Sequence, residues 1–259
     1  MPKVSLKKIY SLKKKHIGIT SITAYDASFA KFFDDLGFDI ILIGDSLGEV
    51  IKGEKNTHNV SIKEMIYHAQ SVSKAVNKSY VIADLPKESC SSDRKIVSDS
   101  IALFKNTKID MIKIEFNEKN IDTFQKLNDK KIPICSHLGL RPQFISKKYE
   151  FRIYGKTKKE RSEIIKNAML AEKYGAKIIL LECVNATVAK ELRALLKIPV
   201  IGIGSGESCD GQIIVSYDLL GISFNKLPKF IKKDYICKDI IENRINDYIK
   251  HIKKLPNKC

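Results

Sequence analysis

The stretch from Ala176 to Cys183, AKIILLEC, joins an unbroken apolar run to a carboxylate near its end. Such a run is typical of a strand buried on both faces, as in parallel sheets covered by helices. An apolar run with a polar or glycine-rich tip recurs at Ile40–Ser46, Tyr80–Pro86, Met111–Glu115, Ile132–Gly139 and Ile198–Gly206. In a (β/α)8 barrel the strands end at one mouth, where functional groups collect. The repeated pattern therefore predicts a barrel and the location of its active site.

Strand-like segments alternate with amphipathic stretches along the whole chain. The strand-like segments are Ile17–Tyr25, Phe38–Ser46, Tyr80–Leu85, Asp110–Phe116, Ile132–Leu140, Ala176–Val184, Ile198–Gly206 and Ile213–Tyr217. The helical stretches are Ala27–Leu36, Ser61–Val76, Ser162–Tyr174, Asn185–Leu196 and Lys238–Lys254. This alternation indicates right-handed βαβ units. We therefore predict an α/β fold, a (β/α)8 TIM barrel in one domain over residues 1–259, with a helical extension at about 238–254.

The local signals at helix ends support this assignment. Gly37 follows the first helical stretch, as a helix C-cap commonly does. Ser61 and Glu64 form the pattern of a capping box at the start of the next stretch. The polar segment Ser146–Glu160, after the fifth strand tip, has the composition of either an active-site lid or a plain surface loop.

Composition narrows the class of protein. The chain has 259 residues and 44% hydrophobic residues, enough for one barrel core. It contains no apolar run of membrane-spanning length, and the basic N-terminus is not followed by the apolar stretch of a signal peptide. We therefore predict a cytoplasmic protein without a membrane partner. The six cysteines form no CxxC pair, which favours reduced, buried thiols over a zinc site.

The net charge of +16 raises the question of nucleic-acid binding. Most of the basic residues are scattered lysines, whereas base readout favours arginine, and no nucleic-acid-binding motif is present. A solvated lysine-rich surface without a nucleic-acid partner is the better interpretation. Such a surface can still attract anionic substrates.

Carboxylates stand at three strand tips. Asp45, Asp84 and Glu115 each follow a different apolar run. Hard oxygen donors that converge on a barrel mouth suit Mg²⁺. The alternative for the first tip is structural, because either Asp45 or Ser46 could cap the following helix.

Lys113 and Glu115 alternate with apolar residues and so lie on the same face of their strand. A buried lysine needs a partner, which Glu115 or a bound carboxylate would supply. Three roles remain open for Lys113: a structural salt bridge, an anchor for a substrate carboxylate, or a nucleophile that forms a Schiff base.

Glu182 ends a strongly apolar strand. Burial there should raise its pKa, which suits a general base near neutral pH, unless a neighbouring barrel residue pairs with it. His137 lies at another strand tip, as either a structural group or a ligand contact. The glycines at 202, 204 and 206 permit close backbone approach.

Taken together, these residues resemble the ketopantoate hydroxymethyltransferase family. The similar stretches run in order from near the N-terminus to about residue 230: ITAYDASFAK (22–31), ILIGDSLG (41–48), ADLP (83–86), IKIE (112–115), HLGL (137–140), PQ (142–143), LLEC (180–183), IPVIGIGSG (198–206), CDGQIIV (209–215), DLLGI (218–222) and PKF (228–230). Their number and order make the resemblance specific.

The resemblance implies a TIM-barrel enzyme that assembles as a homo-oligomer, a decamer. It implies transfer of a hydroxymethyl group from 5,10-methylenetetrahydrofolate to 3-methyl-2-oxobutanoate. The product would be 2-dehydropantoate, in the first step of pantothenate biosynthesis. Mg²⁺ would be the cofactor, and the partners would be the keto acid and the folate.

The resemblance also implies roles for individual residues. Asp45 and Asp84 would bind the metal, and Glu115 would join them directly or through water. Glu182 would be the base that removes the proton from C3. The keto acid would contact polar groups at the mouth, namely Asp45, Ser46, Asp84, Lys113 and His137.

Two other interpretations stay open. One is a different Mg²⁺-dependent C–C lyase or mutase on the same scaffold, of the phosphoenolpyruvate mutase and isocitrate lyase type. The base at Glu182 and the HLGL and DGQ stretches argue against it. The other is a degenerate, lysine-rich binding barrel without activity, which the complete set of polar tip residues makes the poorer interpretation.

Overall fold

The computed structural model describes residues 2–144 and 152–255 and shows a closed parallel barrel. Each strand pairs with the next, and the last pairs with the first. The strands are β1 (Ile19–Thr23), β2 (Ile40–Ile43), β3 (Tyr80–Asp84), β4 (Met111–Glu115), β5 (Ile134–Gly139), β6 (Ala176–Glu182), β7 (Val200–Ile203) and β8 (Gly211–Ile214). The predicted fold class, a single-domain TIM barrel, is confirmed.

Helices surround the barrel and connect successive strands from β1 to β7, whereas a loop without a helix joins β7 to β8. They are α1 (Leu6–Lys14), α2 (Ala27–Leu36), α3 (Leu47–Val50), α4 (Ile62–Ala75), α5 (Asp93–Asn106), α6 (Ile121–Asp129), α7 (Lys158–Lys173), α8 (Ala186–Leu195), α9 (Ser216–Leu220) and α10 (Lys238–Lys254). Both local signals are confirmed. Gly37 ends α2 in the left-handed region at φ 88°, and Ser61 and Glu64 make both hydrogen bonds of a capping box before α4.

Strand residues alternate between two separate apolar layers. Ile40 and Leu42 of β2 point into the barrel, where they pack with inward residues of the other strands. Ile41 and Ile43 point outward and pack against the helices. This arrangement explains why the strands read as continuous apolar runs, because both faces are buried.

The N-terminal end of the barrel is closed by α1, which the sequence analysis did not identify. Ile9 and Leu12 of this helix are buried against the inward layer. Lys13 donates to Asp210 Oδ2 at 2.7 Å, and Arg193 Nε donates to Asp210 Oδ1 at 3.0 Å. Asp210 precedes β8, so the DGQ stretch acts here in stability rather than at the mouth.

The last strand differs from its prediction. It was expected over Ile213–Tyr217, but β8 begins at Gly211, and Ser216 already belongs to α9. A Cβ at Gly211 would lie 2.3 Å from the carbonyl oxygen of Ile19 in β1. The glycine, which looks like a turn residue in sequence, is therefore needed where the two strands approach to close the barrel.

The C-terminal helix α10 has no buried residue. Within the described residues, no helix combines the length and apolar content required to cross a membrane. The predicted lid or surface loop at Ser146–Glu160 lies outside the described residues over its first part, 146–151. Its last part belongs to α7, which begins at Lys158, earlier than the Ser162 expected from the pattern.

Candidate active site

The strand register brings the predicted polar residues together at the C-terminal mouth. Asp84 of β3 lies beside Lys113 of β4, and Glu115 lies beside His137 of β5. Asp45 and Ser46 follow the end of β2, and Glu182 ends β6. The mouth therefore holds every candidate site residue that the sequence indicated.

A buried ion pair links β3 and β4. Lys113 Nζ lies 2.6 Å from Asp84 Oδ1, and the two side chains are 8% and 3% exposed. Burial alone would lower the pKa of Lys113, but the combined attraction of Asp84, Asp45 and Glu115 outweighs it, so the pKa is raised and the ammonium is retained. The partner of Lys113 is thus Asp84 on the neighbouring strand, rather than Glu115 on its own strand as the sequence suggested.

Gln143, in the 3₁₀ turn Pro142–Phe144, connects the carboxylates. Its side-chain amide donates to Asp45 Oδ2 at 2.8 Å and to the carbonyl of Leu85 at 2.7 Å. Its backbone N–H donates to Glu115 Oε1 at 3.1 Å. The backbone N–H of Asp45 in turn donates to Asp84 Oδ2 at 3.1 Å. Sequence reasoning missed this residue, although it belongs to the PQ stretch that follows HLGL.

The structure also decides the capping alternative for the first tip. Ser46 precedes α3 but makes no capping hydrogen bond with its side chain. Its hydroxyl shares a hydrogen bond of 2.8 Å with the hydroxyl of Tyr25 instead. Because Asp45 accepts from Gln143, both tip residues are engaged at the mouth.

The carboxylates are chemically suited to a hard cation. Glu115 is buried, and its Oε2 has no hydrogen-bond partner among the described residues. Burial, followed by repulsion from Asp45, raises the pKa of Glu115 well above its usual value. A bound cation would give Oε2 a partner and would offset the burial and repulsion that raise this pKa. Hard cations also prefer oxygen ligands of this type. In the described part of the chain, however, no three Asp, Glu, His or Cys side chains already converge as a ligand set. Lys113 holds an oxygen of Asp84 instead.

Glu182 and His137 face each other across the mouth. Glu182 Oε2 lies 3.1 Å from His137 Nε2, but the contact is not aligned as a hydrogen bond. Burial lowers the pKa of His137 well below 6.5, so the ring is neutral and forms no ion pair. Burial raises the pKa of Glu182 to about 7, and Lys113 opposes that shift. A carboxylate with this pKa and a partly exposed side chain is suited to take a proton from a ligand.

A second carboxyl near the mouth was not predicted. Glu49 lies on the four-residue helix α3, directly after the Asp45 tip. Burial raises its pKa to about 7, with further repulsion from Asp45 and Glu182. It therefore titrates in the same range as Glu182 and is the competing candidate for any proton transfer.

The position of Glu182 depends on its backbone neighbours. The carbonyl of Glu182 accepts from Leu140 N–H at 2.8 Å, and a Cβ at Gly139 would lie 2.2 Å from that same oxygen. Gly139 adopts φ 94°, and Cys183 adopts φ 51° although it is not glycine. Non-glycine residues in this region carry strain that often accompanies functional sites. The mouth thus requires glycine at 139 to let β5 and β6 approach.

In the GIGSG stretch, Ser205 is buried and supports the end of β6. Its hydroxyl donates to the carbonyl of Leu181 at 2.9 Å and accepts from Val184 N–H at 2.9 Å. Gly204 and Gly206 flank Ser205 with φ of 61° and 78°. This loop therefore fixes the strand that carries Glu182.

The fold and the mouth define a TIM-barrel enzyme whose polar groups can bind an anion with Lys113 and abstract a proton with Glu182. The sequence matches the family described as Ketopantoate hydroxymethyltransferase over residues 3–257. The chain belongs to this family, as the match over nearly its whole length shows. The predicted family and the prediction of an enzyme are thus confirmed.

Curated relatives agree over almost their full length. A 3-methyl-2-oxobutanoate hydroxymethyltransferase of Vesicomyosocius okutanii subsp. Calyptogena okutanii (strain HA) is 42% identical over 235 residues, 91% of this chain and 90% of the relative. One of Buchnera aphidicola subsp. Schizaphis graminum (strain Sg) is 38% identical over 254 residues, 98% of this chain and 96% of the relative.

Solved structures with the same fold are more distant. A phosphoenolpyruvate phosphomutase from Streptomyces platensis subsp. rosaceus has a TM-score of 0.63 at 12% identity, covering 84% of this chain and 83% of that chain. A phosphonopyruvate hydrolase in complex with oxalate and Mg²⁺ has a TM-score of 0.61 at 12% identity, covering 100% of both chains. These similarities show a shared fold alone.

Proposed function

We propose that the protein transfers a hydroxymethyl group from 5,10-methylenetetrahydrofolate to 3-methyl-2-oxobutanoate, giving 2-dehydropantoate and tetrahydrofolate. This would be the first step of pantothenate biosynthesis, carried out in the cytoplasm. The observation that carries the proposal is Glu182, a partly buried carboxyl with a pKa raised to about 7 at the mouth of a barrel of this family. The reaction requires a base at this position, because C3 of the keto acid is only weakly acidic.

The keto acid would be bound by charge and hydrogen bonds. Lys113 retains its ammonium, and with Ser46 it would receive the carboxylate and the oxo group of the substrate. His137 is neutral, so it would line the site without competing for the anion. Its Nε2 lies 3.1 Å from Glu182 Oε2, so a keto acid that contacts His137 would lie next to the base.

Mg²⁺ is the proposed cofactor, and Asp45 and Asp84 would hold it with Glu115 as a direct or water-mediated ligand. When bound, the ion would polarise the oxo group and so acidify C3. The unpartnered Oε2 of Glu115 and the hard oxygen donors support this assignment. The phosphonopyruvate hydrolase with the same fold was solved with Mg²⁺.

The proton and carbon balance follows from these roles. Glu182 would take the proton from C3, and C3 would then form a bond to the methylene carbon of the folate carrier. That carbon is bonded to both N5 and N10 of the carrier, so both carbon–nitrogen bonds would break. Water would supply the hydroxyl group to the carbon and its remaining proton to one nitrogen. The proton taken by Glu182 would pass to the other nitrogen, directly or through solvent, which releases tetrahydrofolate and restores the base.

The direct test is to incubate the purified protein with 3-methyl-2-oxobutanoate, 5,10-methylenetetrahydrofolate and Mg²⁺ and to measure 2-dehydropantoate by mass spectrometry. Glu182→Gln is the matched control, because it keeps size but cannot accept the proton. Parallel reactions with phosphonopyruvate and oxaloacetate test the lyase and mutase alternative. Turnover of either compound without formation of 2-dehydropantoate would refute the proposal.

We also propose a homo-oligomer, and by the family resemblance a decamer. Apolar residues on α10 and at its C-cap follow the four-three spacing of a helix that packs against another helix. They are Ile241, Ile245, Tyr248, Ile252 and Leu255, and none of them is buried within the described chain. Light scattering at micromolar concentration should give a mass well above one chain. A monomer would refute the proposal.

A further inference from the structure

The turn that carries Gln143 is held from outside the mouth by two residues that the proposed mechanism does not use. The 3₁₀ turn Thr57–Asn59 packs against the turns Lys87–Ser91 and Pro142–Phe144. From the first turn, His58 Nε2 lies 2.8 Å from the carbonyl oxygen of Pro142. From the second, Lys87 Nζ lies 3.0 Å from His58 Nδ1. Three separate turns are thus connected through one imidazole ring.

The contact with Pro142 determines which ring nitrogen carries a hydrogen. A carbonyl oxygen only accepts, so Nε2 must carry the hydrogen and donate it to Pro142. The ammonium of Lys87 lies 3.0 Å from Nδ1 and 3.3 Å from Nε2, so it packs beside the ring and helps to hold the imidazole in place.

The fixed carbonyl belongs to the residue directly before Gln143. Gln143 is 6% exposed, and its side-chain polar atoms are both occupied, since the thiol of Cys90 donates to its Oε1 at 3.2 Å. Its two N–H groups reach Asp45 and Glu115, which lie on different strands. A displacement of this turn would therefore disturb a hydrogen bond to each of the two carboxylates.

We infer that Lys87 and His58 are positioning residues for the reaction, acting through the Pro142 carbonyl and Gln143 to hold Asp45 and Glu115 in place. The inference rests on the proposed function for its kinetic consequence. Its structural content, that the imidazole fixes the Gln143 backbone, is independent of the substrate. Removal of a group that orients a catalytic carboxylate without contacting the substrate typically lowers activity by about 10- to 100-fold.

The test compares His58→Leu with His58→Gln. Leucine removes both polar contacts, whereas glutamine keeps one donor for Pro142 and one acceptor for Lys87. Lys87→Met removes the second contact, and Lys31→Met is its matched control, because Lys31 forms an exposed pair with Asp35 on α2. Two readouts are needed: residue-resolved hydrogen–deuterium exchange at Gln143 N–H, and the rate of C3 hydrogen exchange of the keto acid in deuterated water.

In His58→Leu, we expect Gln143 N–H to exchange at least about tenfold faster, and kcat for C3 exchange to fall by about 10- to 100-fold with KM changed far less. His58→Gln should restore both values, and Lys31→Met should match wild type. Unchanged exchange at Gln143 N–H in His58→Leu would overturn the inference. So would a loss of kcat that His58→Gln shares in full. If the wild type itself shows no C3 exchange, the proposed function fails, while the amide readout still decides the positioning role.

Discussion

The identity of the general base makes a quantitative prediction about pH. A carboxyl acts as a base only when ionised, and a pKa raised to about 7 delays ionisation of Glu182 into the neutral range. The ionised fraction of such a group is about one-tenth at pH 6, one-half at pH 7 and nine-tenths at pH 8. We therefore expect the rate of C3 hydrogen exchange to rise about tenfold between pH 6 and pH 8 and then to level off.

The test uses the variant Glu182→Gln. It measures the rate of C3 hydrogen exchange of the keto acid in deuterated water, with Mg²⁺ and without folate. Leaving out the folate isolates proton removal from carbon transfer. General-base assistance contributes about 10²–10⁴-fold, so the variant should lose that factor and also lose the rise between pH 6 and pH 8. Binding of the keto acid should persist, since Lys113 is untouched.

Glu49 provides the decisive control, because burial raises its pKa to about 7 as well. Glu49→Gln should keep the tenfold rise and move it slightly to lower pH, since removal of a nearby negative charge eases ionisation of Glu182. If Glu49→Gln abolished the rise while Glu182→Gln retained it, the assignment of the base would be wrong. A base at His137 would give a rise well below pH 6.5, because burial lowers the pKa of its ring.

Three further predictions follow from the mouth. Asp84→Asn should lose most activity while remaining folded, and excess chelator should abolish wild-type activity; full turnover in chelator would exclude the metal. Borohydride with the keto acid should leave Lys113 unmodified, because its ammonium is held at 2.6 Å from Asp84; a reduced adduct found by mass spectrometry would establish a Schiff base instead. Gly139→Ala should lower the free energy of unfolding by about 1–3 kcal/mol in chemical denaturation, because its Cβ would meet the carbonyl of Glu182. Gly18→Ala, with nothing within 4 Å of the added Cβ, is the control and should change stability far less.

The residues that sequence alone could place are those on regular strands. Lys113, Glu115 and Glu182 are fixed by alternation and by the common direction of parallel strands, so their meeting at one mouth follows from the pattern. The sequence did not identify Gln143, because it lies in an irregular turn where no periodic pattern indicates which way a side chain points. The sequence did not identify Glu49 either, because a helix of four residues has no detectable amphipathic period.

The sequence also did not predict the register between neighbouring strands. Asp84 pairs with Lys113 because their Cα positions are partners between β3 and β4. Nothing in either strand alone specifies that alignment. The same reasoning applies to α1. Its few apolar residues do not by themselves predict that the helix covers the end of the barrel.

The helix that closes the bottom of the barrel has a consequence for synthesis of the chain. Ile9 and Leu12 pack with Ile178, Leu180 and Ile213, which leave the ribosome long after α1 does. Contacts so distant in sequence form late and slowly, because a long loop must close before they contribute. Part of the apolar face of α1 therefore stays uncovered until β8 pairs with β1. Aggregation during expression should be most severe in truncated chains that end before Gly211.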